Sequence, residues 1–223
     1  MKFSSNGLIH QLSEEDRDRL QEICLPAALT EGQTLCLTGS EDADQVYFLI
    51  SGCVTLWVEP EKQSRLAVGM LGSEGAAGLG AVLGQSNTRL RYEVQCAGSA
   101  WCTSSTQLQA LLRKHPSMLW VVARYLWQMT QDLANTTASV QYDDVLTRLA
   151  AWLVLCAQRS GSLQLNLTHD QLARMLGVRR VSITLAAMEL KDKGLLHYKR
   201  GSLNILDLKG LTQLAQAKVQ TAV

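Results

Sequence analysis

An α+β chain is predicted: an N-terminal antiparallel β jelly-roll barrel, then a long helix, then a C-terminal winged helix-turn-helix. Three stretches of sequence predict it. Between Gly32 and Thr103, short alternating apolar stretches are broken by turn residues, the pattern of many short strands. From Pro116 to Val140, apolar residues recur at spacings of three and four, the period of one long amphipathic helix. From Thr168 to Arg200, a capping residue, a turn glycine and a basic hairpin delimit two short helices and a wing.

In chain order, Leu8 to Leu25 reads as one or two short helices. Ser13 is the cap, Glu14 to Asp16 suit the first turn, and Leu20 and Ile23 lie on an apolar side. Strands are expected at Thr34 to Leu37, Gln45 to Ile50, Cys53 to Val58, Arg65 to Met70, Arg91 to Gln95 and Ala100 to Thr103, with Ser51-Gly52 as a turn. Many short strands close most readily into a barrel or jelly roll, which leaves few unpaired edges. The glycine-rich run Gly72 to Gly84 is followed, after a polar loop, by Thr88 to Tyr92. Arg89 and Arg91 are placed to neutralise an anion near a helix N-terminus starting around Gly75.

Pro116 opens the long helix. Leu119, Val122, Leu126, Met129, Leu133, Thr136 and Val140 alternate spacings of three and four, which reads either as a coiled-coil seam or as a helix packed on its own barrel. Trp120, Tyr125 and Trp127 are expected to pack this helix against the barrel. Asp143 and Asp144 then precede a new apolar period, Val145, Leu149, Trp152 and Leu153, so a helix cap belongs there.

Gln158 to Ser162 reads as a turn and Leu163 to Leu167 as a short strand. Thr168 and Gln171 form a capping box, Leu172, Ala173 and Leu176 give the next helix its apolar face, and Gly177 ends it. A second helix runs from about Arg179 to Lys191. Val181, Leu185 and Met188 repeat on one side of it, and Ile183, Ala187 and Leu190 broaden the stripe expected to be buried. Ala173, Gly177 and Ile183 stand where helix-turn-helix sequences put a small residue, the turn glycine and a core residue. Arg179, Arg180, Ser182 and Thr184 remain at the outward, N-terminal end, with Thr168 at the start of the motif. An arginine fork matches guanine O6 and N7 in the major groove, and hydroxyls serve base edges or phosphates. Lys199 and Arg200 belong to a hairpin turning at Arg200 to Ser202, and Asp207 caps a last short helix.

The stretch Asp44 to Val54, DQVYFLISGCV, looks like the glycine-turn hairpin of cyclic-nucleotide-binding domains. Together with the winged helix it makes the chain resemble, over essentially its whole length, the Crp/Fnr family of bacterial transcription regulators. That resemblance implies a cyclic-nucleotide-binding-like domain over residues 1–115, a dimerisation helix over 116–141 and a DNA-binding domain over 142–223. It implies a homodimer paired at Leu119, Val122, Leu126, Met129, Leu133 and Thr136, a hinge at Asp144, and RNA polymerase as a further partner. In the cyclic-AMP-binding members, a short helix start, a glutamate and an Arg-Ser or Arg-Thr pair grip the ribose and phosphate. Glu74, Gly75, Ala76, Arg89 and Arg91 are the effector contacts expected here. Leu79 stands where that glutamate belongs and no such dipeptide follows, which argues against cyclic AMP and leaves the effector unassigned. Leu185 stands where the family often has a second base-reading arginine, so the half-site is expected to differ.

Composition bounds the rest. With 47% hydrophobic and 18% charged residues the chain is globular. Its net charge of +1 hides an asymmetry, because residues 1–140 carry 10 Lys/Arg against 14 Asp/Glu while residues 141–223 carry 11 against 6. A basic C-terminal half suits a phosphate-facing surface. No apolar run is long enough to cross a bilayer and the N-terminus has no signal-peptide core, so a cytoplasmic location is expected. The six cysteines form no CxxC pair and no zinc spacing with the four histidines, so most read as small buried hydrophobes. No histidine lies between His10 and His115, which removes the ligand set of a metal-dependent barrel enzyme, and neither a catalytic residue nor a metal site is expected. The expected function is a homodimeric, sequence-specific regulator on a pseudo-palindromic double-stranded DNA site. The alternative is a nucleotide-sensing module acting through a protein partner.

Overall fold

Long-range strand pairing, which local periodicity does not reveal, sets the form of the first half. The computed structural model describes residues 2–36, 44–59, 65–85, 90–199 and 201–216. The chain divides into two compact units, Met1–Val58 with Gly69–Leu133, and Glu59–Val68 with Ala134–Val223. The strands are β1 (Leu25–Leu29), β2 (Thr34–Leu35), β3 (Gln45–Val58), β4 (Leu66–Leu71), β5 (Ala76–Ala77) and β6 (Leu90–Ser104), and they form one sheet in the order β1-β6-β3-β4. β2 pairs with β6 and β5 with β3. Among the described residues this sheet is jelly-roll-like and is not closed into a barrel.

The expected turn at Ser51-Gly52 is instead the bulged middle of one strand. β3 runs through it and pairs antiparallel with β6 from Gln45↔Ser104 to Val58↔Leu90, with register shifts between Leu49 and Val54. A β-bulge gives the same glycine signal as a turn, but it bends a strand without reversing it. Gly52 has φ +80°, and Gly98 on β6 lies so close to the Ser51 carbonyl that a Cβ there would collide with backbone. Gly98→Ala is therefore expected to destabilise the fold by about 1–3 kcal/mol, read as a lower unfolding midpoint. An unchanged midpoint would show that the two backbones separate freely.

The helices α1 (Gly7–His10) and α2 (Glu14–Glu22) are short and individually capped: the Ser13 hydroxyl accepts from the Asp16 amide at 3.1 Å. Asn6 is fully buried and uses all of its hydrogen-bonding capacity. It accepts from the amides of Leu8 and Ile9 and donates to the carbonyls of Leu49 and Gly75, so it ties α1 to β3 and to the glycine-rich turn. A short helix α3 (Leu79–Val82) begins at Gly78, not near Gly75 as expected, because Gly75 precedes the two-residue strand β5. The helix α4 (Ser105–Lys114), capped by Ser104, leads into α5 (Pro116–Tyr142), 27 residues long. Met118, Val121 and Val122 of α5 join Phe3, Phe48 and Leu108 in the core of the first unit.

In the second unit, α6 (Val145–Ser160) starts at Asp144, whose carboxylate accepts from the Thr147 amide at 2.8 Å. The helices α7 (His169–Leu176), α8 (Arg180–Asp192) and α9 (Leu208–Gln216) pack with it around Leu149, Leu153, Leu172, Ile183, Leu190 and Leu211, all fully buried. The strands β7 (Gln164–Leu165), β8 (Leu196–Lys199) and β9 (Ser202–Ile205) form a small antiparallel sheet in the order β7-β9-β8, whose β8-β9 hairpin is the wing.

Candidate nucleic-acid interface and sheet cavity

The helix-turn-helix is built from strong local signals. Thr168 and Gln171 complete a reciprocal capping box at the start of α7, and Gly177 ends the helix in the left-handed region at φ 63°, which a side chain would strain. The Arg148 guanidinium donates to the Leu176 carbonyl beside this turn, fixing the end of α7 on α6. Ala173, Leu176, Ile183, Ala186, Ala187 and Leu190 are buried, so α8 lies across α7 by its Ile183–Leu190 side.

That side is not the one expected from Val181, Leu185 and Met188. These three are 67%, 63% and 56% exposed and form the outward face of α8. Apolar residues lie around most of this helix, so the period alone admits two faces, and the core takes the one carrying Ile183 and the small Ala186 and Ala187. The three apolar side chains thus lie together on the solvent side of a helix whose other side is buried.

Around this face stand the polar residues named from sequence. Arg179 is the N-cap of α8 and Arg180 its first residue, both exposed. Arg180 forms an exposed ion pair with Asp170 of α7 at 3.5 Å, weak enough to be exchanged for another partner. Ser182 is half-buried. Thr184 is engaged within the protein, since its hydroxyl donates to the Arg180 carbonyl and meets His169 Nδ1, each at 3.1 Å. Thr168 serves the α7 cap, and Lys199 is exposed at the end of β8, opposite Ser202. Arg200 lies outside the described residues.

His169 was not singled out in the sequence, yet it joins all three parts of the motif. Its ring stacks on Tyr198 of the wing at 4.2 Å between centroids, and its Nδ1 holds Thr184 of α8. Because the Thr184 hydroxyl donates to the Arg180 carbonyl, it accepts from His169, which places the imidazole proton on Nδ1. The other nitrogen, Nε2, is buried and finds no hydrogen-bond partner among the described residues. Burial first, and then the Arg180 charge, hold the imidazole below its ordinary value, with Asp170 opposing. A histidine with a depressed folded value stabilises the fold above the unfolded value of about 6.5 and loses that contribution as pH falls through the folded one. The unfolding midpoint is thus expected to fall more steeply between about pH 7 and pH 5 than that of His169→Gln. Parallel profiles would refute this.

The second site lies in the first unit. A cavity of about 240 Å³ is lined by Cys36, Ala76, Gly78 to Ala81, Gln85, Leu90, Tyr92, Leu126, Met129, Thr130 and Leu133. Among the described residues no charged side chain lines it. Burial, and then the neighbouring Cys36, push the Tyr92 phenol up to about 12, so it stays neutral. The amides expected to face an anion are satisfied within the protein: Gly75 donates to the Gly72 carbonyl, and Ala76 donates to the Tyr125 hydroxyl at 3.0 Å. The Glu74 carboxylate accepts from the Gly72 amide at 2.9 Å. Arg91 sits on β6 opposite Trp57 and is not among the lining residues, and Arg89 lies outside the described residues. Of the four expected effector contacts among the described residues, Glu74, Gly75, Ala76 and Arg91, only Ala76 lines the cavity.

Leu126, Met129 and Leu133 belong to the seam expected on α5, and they line this cavity, while Val122 is buried in the core. Leu119 and Val140 of the same stripe are 46% and 43% exposed. The tryptophans take the opposite part. Trp120 is 72% and Trp127 65% exposed, against the expectation that they pack inward, and only Tyr125 does so through its hydroxyl on Ala76. Trp120, Ala123, Trp127, Ala134 and Thr137, spaced three, four or seven apart, are all exposed. A second seam, offset by one residue from the first, thus faces outward.

A helix-turn-helix with a basic, partly apolar recognition surface and a wing defines a DNA-binding transcription regulator. More particularly, the chain is similar to regulators of the Crp/Fnr type: residues 147–214 match the Crp-like helix-turn-helix domain, and curated transcription regulators match most of its length. The transcriptional regulator SdrP of Thermus thermophilus is 27% identical over 79% of this chain and 87% of its own length. The cAMP-activated global transcriptional regulator Vfr of Pseudomonas aeruginosa is 25% identical over 86% and 94%. In fold, the chain is similar to a Crp/Fnr-family regulator from Eubacterium rectale, with TM-score 0.74, 16% identity and coverage of 96% and 99%. No described helix is long and apolar enough to cross a membrane.

Proposed function

We propose that this regulator acts in the cytoplasm as a homodimer on a pseudo-palindromic DNA site, with α8 of each protomer in successive major grooves about one helical turn apart. The observation that carries the reading is the outward face of α8. Arg180 reads a base, Arg179 a base or a phosphate, and Ser182 adds a polar contact. Val181 and Leu185 offer apolar contact to thymine methyl groups, which Arg180 alone does not provide. Thr168 and Lys199 hold phosphates, and Thr184 acts chiefly by keeping α8 registered on His169. Residues 1–115, 116–141 and 142–223 are the effector, dimerisation and DNA-binding parts, with Asp144 at the hinge. Dimerisation uses the outward seam of α5, and RNA polymerase is the further partner through which the complex acts.

The lining of the sheet cavity is neutral among the described residues, and this supports a neutral effector over a cyclic nucleotide, whose phosphate would find no countercharge among those residues. Selection of duplexes from a random pool by the purified protein tests the whole reading. A two-fold motif is expected, weakened by Arg180→Ala and unaltered by added cyclic AMP. Failure of the folded dimer to enrich any motif would count against it.

A further inference from the structure

The structure describes six cysteines, all reduced. Two of them face each other on the longest strands: Cys53 of β3 and Cys96 of β6 are direct partners in the antiparallel ladder. Residues so opposed have Cα atoms about 4.5–5.5 Å apart, inside the span of about 4.4–6.8 Å that a disulfide bridges. The register shifts on both sides of Cys53, within the bulge that Gly52 and Gly98 make possible. Cys53 is buried and Cys96 is partly exposed, so one sulfur is reachable from solvent and the other waits behind it.

We propose that Cys53 and Cys96 form a dithiol site at which hydrogen peroxide makes a cross-strand disulfide. A hydrogen bond from the Cys53 thiol holds Cys96 below the ordinary thiol value, with burial and the Glu31 charge opposing. The partly exposed sulfur is thus the better nucleophile. The Cys96 thiolate attacks one peroxide oxygen, the O–O bond breaks, and hydroxide leaves and takes up a proton to become water. Cys96 is now a sulfenic acid, oxidised by two electrons while the peroxide is reduced. Cys53 then loses its proton, its sulfur attacks the Cys96 sulfur, the S–O bond breaks, and the hydroxide leaves as a second water. Two thiols and one peroxide give one disulfide and two waters.

The neighbouring Cys24 and Cys102 form the internal contrast. Cys102 is paired in register with Leu25, so Cys24 is one position out of line with it. Burial, and then the proximity of Cys102, push the Cys24 thiol up to about 12, which leaves it a poor nucleophile.

Full-length protein is treated with hydrogen peroxide, quenched, alkylated after unfolding and mapped by peptide mass. The expected product is a Cys53–Cys96 linked peptide, two hydrogens lighter than the sum of its parts and lost on reduction with dithiothreitol. Alkylation of both cysteines is lost with it, while that of Cys24 and Cys156 persists. In Cys53→Ser the link is expected to vanish, and dimedone to trap Cys96 as its sulfenic acid. Full alkylation of Cys53 and Cys96 after treatment of the wild-type protein would overturn the proposal. So would a link from Cys96 to another cysteine or to a second chain.

Discussion

Arg180→Ala is expected to weaken binding to the selected site by about 1–3 kcal/mol, roughly 5- to 150-fold, and to relax preference at one base pair per half-site. Several features make it the most informative residue on the interface. It stands at the first position of α8, the end from which a recognition helix contacts base edges, and its side chain pairs with Asp170 at 3.5 Å. That ion pair is exposed on both sides, so giving it up for a guanine edge costs little. Its loss leaves the helix intact, because the buried side of α8 is Ile183, Ala186, Ala187 and Leu190. Binding curves on the selected duplex and on single-base variants provide the measurement. A loss of equal size on every sequence would show that Arg180 holds a phosphate. Lys199→Ala gives that contrasting behaviour: uniform weakening, with the slope of log affinity against log salt reduced by about one unit.

What could be read from the sequence was what is decided within a few residues. The caps at Ser13, Asp144 and Thr168, with Gln171 completing the last, and the turn at Gly177 depend on hydrogen bonds between neighbours, and each stands where the residues call for it. What could not be read was which of two apolar faces a helix turns inward. On α8 and on α5 apolar residues occupy more than one stripe, and the choice belongs to the surface that covers the helix. For α8, Ile183 with two alanines admits close approach of α7, so the larger Val181, Leu185 and Met188 are left outside. For α5, Val122 enters the core of the first unit and Leu126, Met129 and Leu133 line its cavity, while Leu119 and both tryptophans are exposed.

The candidate site was legible to a similar degree. Arg179, Arg180 and Lys199 carry their own signal as cations in a helix-turn-helix and its wing. His169 does not, because its partners Thr184 and Tyr198 are brought to it only by folding. Tyr125 is a second case, a residue 49 positions away from the Ala76 amide and carbonyl that it bonds. Strand β1 was missed for a related reason: its pairing with β6, from Leu25↔Cys102 to Leu29↔Gly98, is a long-range property of a segment containing proline and two alanines.

The outward seam of α5 yields the second large effect. Trp127→Asp is expected to convert the dimer to a monomer at concentrations where the wild-type protein is paired. Trp127 is 65% exposed in one chain and lies seven residues from Trp120, so both rings fall on the same stripe with Ala123, Ala134 and Thr137. Large aromatic rings among small residues suit close helix pairing, and tryptophan anchors at such interfaces typically cost about 2 kcal/mol or more when removed, a factor of about 30 in dimer dissociation. A carboxylate in their place adds the cost of burying a charge. The monomer should keep the circular dichroism of the wild type, because Trp127 is not in the core, but should lose the two-fold DNA motif, because one α8 reads only one half-site. Val122→Ala is the control, since it lies in the core and is expected to lower the unfolding midpoint with the dimer retained. Sedimentation of the two variants distinguishes the seams: a dimer that survives Trp127→Asp and dissociates in Val122→Ala would place pairing on the stripe that faces the sheet.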